Sequence, residues 1–328
     1  MKRALVLLRR RLFGAVPVLL IVVAGTFLLL EAAPGDAVDA YAVSVGGDAG
    51  LIEDLRRQWG LDQSPATRLA TYLWALMRGD LGWSVSFSRP IRDLILERLP
   101  TTFLLMGTAT ALSFGLGTLL GIVAGARPGS LRDRTLSLAS LALYAVPGFW
   151  LGMVLIVIFS IQLRWLPIGG IETIASGKSG VDRALDIARH LVLPVAALGF
   201  IYLALYLRMM RAGMAEIWRM DFIAAAKARG ISRRRLVLRH VARNALLPLV
   251  TMLGLQSASM LGGSVVIESV FAVPGIGRLA QEAVASRDAP LLLGIILISA
   301  VLVIVVNLAV DMAYALLDPR VGADEASP

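Results

Sequence analysis

Residues 99–126 read LPTTFLLMGTATALSFGLGTLLGIVAGA, 28 residues without Asp, Glu, Lys or Arg. About 20 largely apolar helical residues cross the hydrocarbon core of a bilayer, so this stretch is long enough to span a membrane. Gly117, Gly121 and Gly125 stand at every fourth position within it. Small residues at that spacing let membrane helices approach closely. We therefore predict a transmembrane helix that packs through these glycines.

Five further stretches also lack charged residues and are apolar enough to span a membrane. They are Leu12–Leu30, Thr135–Leu163, Leu191–Leu207, Asn244–Ile267 and Ala289–Val310. The whole chain of 328 residues is 57% hydrophobic and 17% charged, whereas soluble domains are about 45–50% apolar and about 25% charged. The sequence predicts an all-α polytopic membrane protein with six transmembrane helices.

Basic residues are concentrated on one side of these spans. Five Lys and Arg precede Leu12, ten lie between Arg208 and Arg243, and ten acidic residues lie between Glu31 and Glu97. Because Lys and Arg near spans are retained in the cytoplasm, both termini are predicted to be cytoplasmic. The formal net charge of +9 then reads as an orientation signal, and we expect no nucleic acid partner.

The spans suggest three regions along the chain. Residues 1–98 hold one membrane helix and a long extracytoplasmic segment, residues 99–318 hold a core of five spans, and residues 319–328 form a cytoplasmic tail. The first span follows five basic residues as a signal peptide would, but its 19 apolar residues exceed the usual 7–15 of a signal core. We expect an uncleaved anchor. In the external segment, Leu51–Trp59 and Ala66–Met77 have helical apolar spacing. These helices either pack on the outer ends of the spans or form a docking surface for an external partner.

The inner loop between spans four and five predicts a short, projecting helix at about 221–230. Asp221 is a candidate N-cap, and Gly230 is suited to the left-handed conformation at the exit. Between them lie Ala224, Ala225, Ala226, Lys227, Ala228 and Arg229. The alanines would present a smooth surface, which suggests a cytoplasmic partner. Beyond Ser232, a second helix places Arg235, Arg239 and Arg243 on one face, which we interpret as contact with membrane lipid headgroups.

Several patterns that resemble chemical sites are incomplete. Gly177-Lys178-Ser179 lacks the first glycine of a phosphate-binding loop because residue 172 is Glu, so we expect a turn there and no ATP bound by this chain. The chain has no cysteine and only two histidines, His190 and His240, which argues against a metal site or a nucleophilic triad. We therefore predict that the protein is not an enzyme and carries no cofactor of its own.

Few polar residues lie inside the predicted spans. Gln256, Ser259 and Asn307 are the candidates for a translocation path, because polar groups at membrane depth tend to face a cavity or a partner. Hydrogen bonds between neighbouring helices explain them equally well. The sequence leaves the two interpretations open.

Eight short motifs are spread along the chain: Ala33-Pro34-Gly35-Asp36, Arg78-Gly79-Asp80-Leu81-Gly82, Arg98-Leu99-Pro100-Thr101-Thr102, Val146-Pro147-Gly148-Phe149-Trp150, Ala226-Lys227-Ala228-Arg229-Gly230, Arg243-Asn244-Ala245-Leu246-Leu247-Pro248, Pro274-Gly275-Ile276-Gly277 and Leu317-Asp318-Pro319-Arg320. Through these motifs, nearly the whole chain resembles the permease subunits of binding-protein-dependent ABC importers, in the dipeptide, oligopeptide and nickel branch, as the first permease of the pair.

The resemblance implies the fold, the partners and the role of the inner helix. It implies the type-1 ABC importer transmembrane fold and makes Asp221–Gly230 the coupling helix, which fits a cleft on a cytoplasmic ATPase. The expected partners are two ATPase subunits that hold ATP and Mg, a second homologous permease and an extracytoplasmic solute-binding protein. Ala224 stands where the general importer pattern has Glu, so any contact that depends on that Glu is absent.

The expected function is import of peptides or a similar small solute across the inner membrane by alternating access. Two other classes compete with it. A secondary transporter driven by an ion gradient would show interrupted helices in two corresponding halves and would work without an ATPase. An intramembrane enzyme would need a nucleophile, base or metal cluster inside the spans.

Overall fold

The computed structural model describes residues 2–32, 38, 50, 53–54 and 62–317. The predicted helix Leu51–Trp59 falls largely outside these residues, and the tail 319–328 falls outside them entirely. The described elements, in chain order, are α1 (Lys2–Ala32), α2 (Pro65–Met77), β1 (Trp83–Ser84), β2 (Arg89–Pro90), α3 (Ile91–Gly125), α4 (Leu131–Ala145), α5 (Gly148–Leu155), π1 (Ile156–Gln162), α6 (Gly180–Ile217), α7 (Asp221–Ala228), α8 (Arg233–Arg235), π2 (Leu236–Ala242), α9 (Arg243–Val270), α10 (Ile276–Ala285) and α11 (Ala289–Leu317).

The all-α prediction is confirmed, with one small addition. Five described helices are long and apolar enough to cross a bilayer, and α4 with the helix formed by α5 and π1 makes a sixth span if that bent pair is counted as one. The addition is an antiparallel pair of two-residue strands, in which Trp83 pairs with Pro90 and Ser84 with Arg89.

The third apolar stretch is not the straight helix that the absence of charge suggested. It bends by 98° between Ala145 and Gly148. Val146 has extended backbone angles, φ −84° and ψ 126°, because the ring of Pro147 disfavours helical angles in the residue before it. Pro147 also has no N–H to continue the helical hydrogen bonds.

The fifth span also differs from the prediction. We placed a separate basic helix before the span Asn244–Ile267, but α8, π2 and α9 follow one another without a break, and Pro248 lies inside α9. Proline is tolerated inside membrane helices when other groups satisfy the freed backbone atoms. Just before it, the Asn244 side chain donates to the carbonyl of His240 at 2.5 Å.

The described chain divides into two compact units. The first comprises residues up to Thr102 together with Pro274–Val305, and the second comprises Phe103–Val273 with the residues from Val306 onward. In the first unit, the start of α3 packs on α10 and on the start of α11 through a buried apolar cluster. A fully buried carboxylate, Asp288, accepts hydrogen bonds there from the Ser84 hydroxyl at 2.6 Å and the Ser86 amide at 2.9 Å.

In the second unit, α3 and α6 meet along the predicted glycine stripe. A Cβ placed on Gly117 would lie 2.8 Å from the carbonyl oxygen of Leu203, and one on Gly121 would lie 2.5 Å from the Cβ of Met210. A Cβ on Gly125 would lie 2.8 Å from the Cβ of Met214. These separations are too short for real atoms, so only glycine allows this helix contact. The packing prediction for the three glycines is confirmed.

The segment Gly177-Lys178-Ser179, for which we predicted a turn, is an irregular loop, and the turn lies just before it at Ile174 and Ala175. Gly177 has a positive φ of 64°, and the Lys178 ammonium pairs with the Asp186 carboxylate at 2.5 Å. Asp186 also accepts a hydrogen bond from the Thr173 amide at 2.6 Å. The lysine is thus engaged in fixing a loop to the start of α6.

Candidate functional site

The projecting helix of the inner loop, α7, begins and ends close to the predicted residues. Met220 precedes it with extended angles, and Asp221 is its first residue rather than its N-cap. The Asp221 carboxylate still lies in the first turn, where negative charge is favourable. At the other end, Gly230 has φ +73°, and its amide donates to the carbonyl of Lys227 at 2.9 Å. The predicted left-handed exit is confirmed.

Two opposite faces distinguish α7. Ile223 and Ala226 are 0% and 7% exposed and pack into an apolar cluster with residues of α6, π2 and α9. The predicted coupling residues that remain exposed are Asp221, Ala224, Ala225, Lys227, Ala228 and Arg229, with Gly230 beyond the helix end. The alanine surface is therefore narrower than predicted, because Ala226 faces inward, three residues after Ile223.

Trp218, between α6 and α7, is a residue that sequence reasoning missed. Its indole Nε1 donates to the carbonyl of Gly125 at 2.8 Å. Lys227 and Arg233 place their cationic groups over the same ring, 5.2 Å and 6.0 Å from its centroid. The only local signal was a large aromatic residue in the short link between α6 and α7, and nothing in the sequence indicated its partners.

A charged pair that was also missed joins α4 to α6. Arg211 donates from Nε and Nη2 to the two carboxylate oxygens of Asp133, at 2.5 Å and 3.0 Å. Asp133 is 1% exposed and also accepts from the amide of Gly129 at 2.8 Å. Such bidentate pairs are geometrically specific and strong. This pair fixes the turn between α3 and α4 against the end of α6 that leads to α7.

The three candidates for a translocation path lie on two helices. Gln256 and Ser259 are on α9, half-buried and exposed respectively, and Asn307 is half-buried on α11. The Ser259 hydroxyl contacts the carbonyl of Leu255, in its own helix, at 3.5 Å. The Ser259 side chain is therefore exposed, and its hydroxyl contacts a carbonyl of its own helix.

No metal-binding cluster of side chains is present in the described part of the chain. No group of three or more His, Asp or Glu side chains is placed there to hold a metal ion. His190 is buried, and its Nδ1 lies 2.8 Å from the carbonyl oxygen of Asp186, one turn earlier in α6. His190 therefore makes this contact within its own helix, α6.

The sequence matches two protein-family models. Residues 117–323 match the binding-protein-dependent transport system inner membrane component, and residues 4–106 match the N-terminal region of a binding-protein-dependent transport system membrane component. Together the two matches cover most of the chain, including α7 and the glycine stripe.

Similar proteins are known over almost the full length. An oligopeptide transport system permease protein of Bacillus subtilis (strain 168) is 36% identical over 313 residues, which cover 95% of this chain and 98% of the relative. A di/tripeptide transport system permease protein of Pseudomonas aeruginosa (strain UCBPP-PA14) is 36% identical over 328 residues, with 95% and 97% covered.

The fold has a counterpart of known structure. A chain of the MetNI methionine ABC transporter, solved in an inward-facing conformation, superposes with a TM-score of 0.55 at 18% identity and covers 69% of this chain and 97% of its own. This likeness shows the fold of an ABC importer transmembrane subunit. The chain is thus a multi-pass permease of the inner membrane, with a role in transport rather than in catalysis. It belongs to the family of inner membrane components of binding-protein-dependent transport systems.

Proposed function

We propose that this chain forms one half of the translocation pathway of an ATP-driven peptide importer, paired with a second, related permease. The peptide assignment is supported by two relatives that are 36% identical over 95% of the chain and are named for oligopeptide and di/tripeptide transport. A binding-protein-dependent system also includes ATPase subunits and a solute-binding protein. Two cytoplasmic ATPases would hold ATP and Mg, and this chain holds no cofactor.

The coupling role is proposed for Asp221–Gly230, the segment that contains α7. The observation that carries it is the division of this short helix into a seated face and a free face. Ile223 and Ala226 are buried, whereas Ala224, Ala225 and Ala228 are exposed. Exposed methyl groups make a shallow surface that fits a partner's cleft without requiring charge pairing. The predicted cytoplasmic side places this surface where ATPase subunits can reach it.

The proposed mechanism is alternating access. ATP binding draws the two ATPases together, α7 moves with the ATPase to which it is docked, and the spans change from inward-facing to outward-facing. A ligand shifts such an equilibrium only through different affinities for the two states. The binding protein therefore delivers peptide to the outward-facing state, and ATP hydrolysis resets the inward-facing one. Gln256, Ser259 and Asn307 are proposed to line the path.

The substitution Ala225→Glu tests the coupling role directly. A carboxylate at the centre of a closely fitted apolar contact would be buried without a partner, which costs about 2–5 kcal/mol of binding free energy. We expect the ATPase subunits to be lost on purification in detergent, and uptake of labelled di- and oligopeptides to fall to background. Insertion into the membrane should be unchanged.

The matched control is Ala212→Glu, which places the same charge on another exposed alanine near the predicted cytoplasmic end of α6. This variant should retain both the ATPase subunits and uptake. Full uptake by Ala225→Glu would refute the coupling role of α7. Failure of the unmodified complex to import any labelled peptide would refute the peptide assignment, and activity of the permease without ATPase subunits would favour a secondary transporter.

A further inference from the structure

The C-terminal end of α3 is held by two side chains from the region around α7. The last carbonyl groups of a helix accept no hydrogen bond from N–H groups of the same helix, so they need donors from elsewhere. Here the Trp218 indole donates to the Gly125 carbonyl at 2.8 Å, and the Arg233 guanidinium donates to the Ala126 carbonyl at 3.1 Å. Donors with positive charge are also favourable at this negative end of a helix dipole.

The same indole ring is held from the α7 side. The Lys227 ammonium, in the last turn of α7, lies 5.2 Å from the ring centroid, and the Arg233 guanidinium lies 6.0 Å from it. Cations over the face of tryptophan are attracted by its negative quadrupole. Trp218 itself directly follows α6 as its C-cap. One half-buried ring thus joins the ends of α3, α6 and α7.

Apolar packing also connects these elements, since Ile223 and Ala226 share a cluster with Ile122 and Ala126. Such contacts are non-directional and tolerate sliding of one surface over another. The hydrogen bonds from Trp218 Nε1 and from the Arg233 guanidinium to carbonyls at the end of α3 are directional. Of these two bonds, that of Trp218 is the partly buried one, so it is the better suited to transmit a displacement to α3 without slippage.

We propose that Trp218 is a positioning residue that couples movement of α7 to movement of α3 during transport. The proposal rests on the proposed function, because it requires that an ATPase moves α7. It assigns Trp218 to transmission and not to docking, since its ring faces the permease and not the exposed alanine surface. Loss of the indole should therefore lower the amount of peptide transported per ATP hydrolysed, while the ATPase remains bound.

The test uses the complete complex with its binding protein, reconstituted in liposomes, in which peptide uptake and ATP hydrolysis are measured together. Trp218→Leu removes both the N–H donor and the aromatic face, and Trp218→Phe removes the donor while keeping an aromatic face. We expect peptide transported per ATP hydrolysed to fall about tenfold in Trp218→Leu, within the range typical of coupling between distant sites. Trp218→Phe should give an intermediate ratio, and both variants should retain the ATPase subunits.

The matched control is Trp165→Leu, because Trp165 is 69% exposed and its ring also contacts a neighbouring side chain, that of Phe159, with the ring centroids 6.0 Å apart. Its ratio should equal that of the unmodified complex. An unchanged ratio in both Trp218 variants would overturn the proposal, and so would loss of the ATPase subunits, which would make the residue a docking element. If Trp218→Leu does not fold, Trp218→Phe decides alone. Ala225→Glu, in contrast, tests docking itself, so the two failures are distinguishable.

Discussion

The substitution Gly121→Ala is expected to prevent the close packing of α3 and α6. The added methyl carbon would lie 2.5 Å from the Cβ of Met210 and 2.8 Å from the carbonyl oxygen of Leu207. Neither atom is at the end of a flexible side chain, so the two helices must separate. Overpacking costs about 1–3 kcal/mol and occasionally more, and a collision with backbone belongs at the upper end. Thermal unfolding in detergent, followed by size-exclusion chromatography, measures the loss.

Gly115 supplies the matched control on the same helix. A Cβ built on Gly115 meets nothing within 4 Å, so Gly115→Ala makes the identical chemical change without a collision. It should melt at or slightly above the temperature of the unmodified protein, because alanine restricts the unfolded chain more than glycine does. Equal melting temperatures for Gly121→Ala and Gly115→Ala would contradict the helix contact described above.

The second large effect is expected from Arg211→Met. This change leaves the carboxylate of Asp133, 1% exposed, without its bidentate partner. Removing one member of a buried ion pair costs about 3–5 kcal/mol. Because the Arg211 side chain is 40% exposed, water screens part of that loss, and we expect about 2–3 kcal/mol. Denaturation of the purified permease in detergent measures it.

Two further variants separate the buried pair from simple loss of charge. Arg89→Met removes a cation from the pair Arg89–Glu97, whose side chains are 51% and 55% exposed, and should cost no more than about 1 kcal/mol. The double variant Asp133→Asn with Arg211→Met leaves no buried charge and should recover part of the stability lost in Arg211→Met. A double variant less stable than Arg211→Met would count against an ionic origin of the effect.

Local sequence patterns predicted the elements of this structure well. The charge-free stretches located the membrane helices, because burying charge in lipid is costly wherever it occurs. The spacing of Gly117, Gly121 and Gly125 identified a contact face, and Gly230 identified the end of α7. Each of these features depends on residues that are close together in the sequence.

Features that depend on distant residues were not predicted. Asp133 and Arg211 are 78 residues apart, and Trp218 and Gly125 are 93 apart, so no local pattern connects them. Pro147 itself was a local signal for the bend. We located the spans by the absence of charged residues, however, and that criterion takes no account of proline. Ala226 faces inward because it lies on the same side of α7 as the buried Ile223. The helix period alone does not specify which side of α7 packs against the rest of the protein.

The shallow attachment of α7 has a consequence for how such permeases diversify. Only Ile223 and Ala226 of its eight residues are buried, so the other six can be replaced with little effect on folding. Under the coupling role proposed for α7, a permease built this way would exchange one ATPase for another through a few surface substitutions while its membrane core is preserved. Duplicated importers in one cell could therefore acquire separate motors without redesigning the pathway that the solute follows.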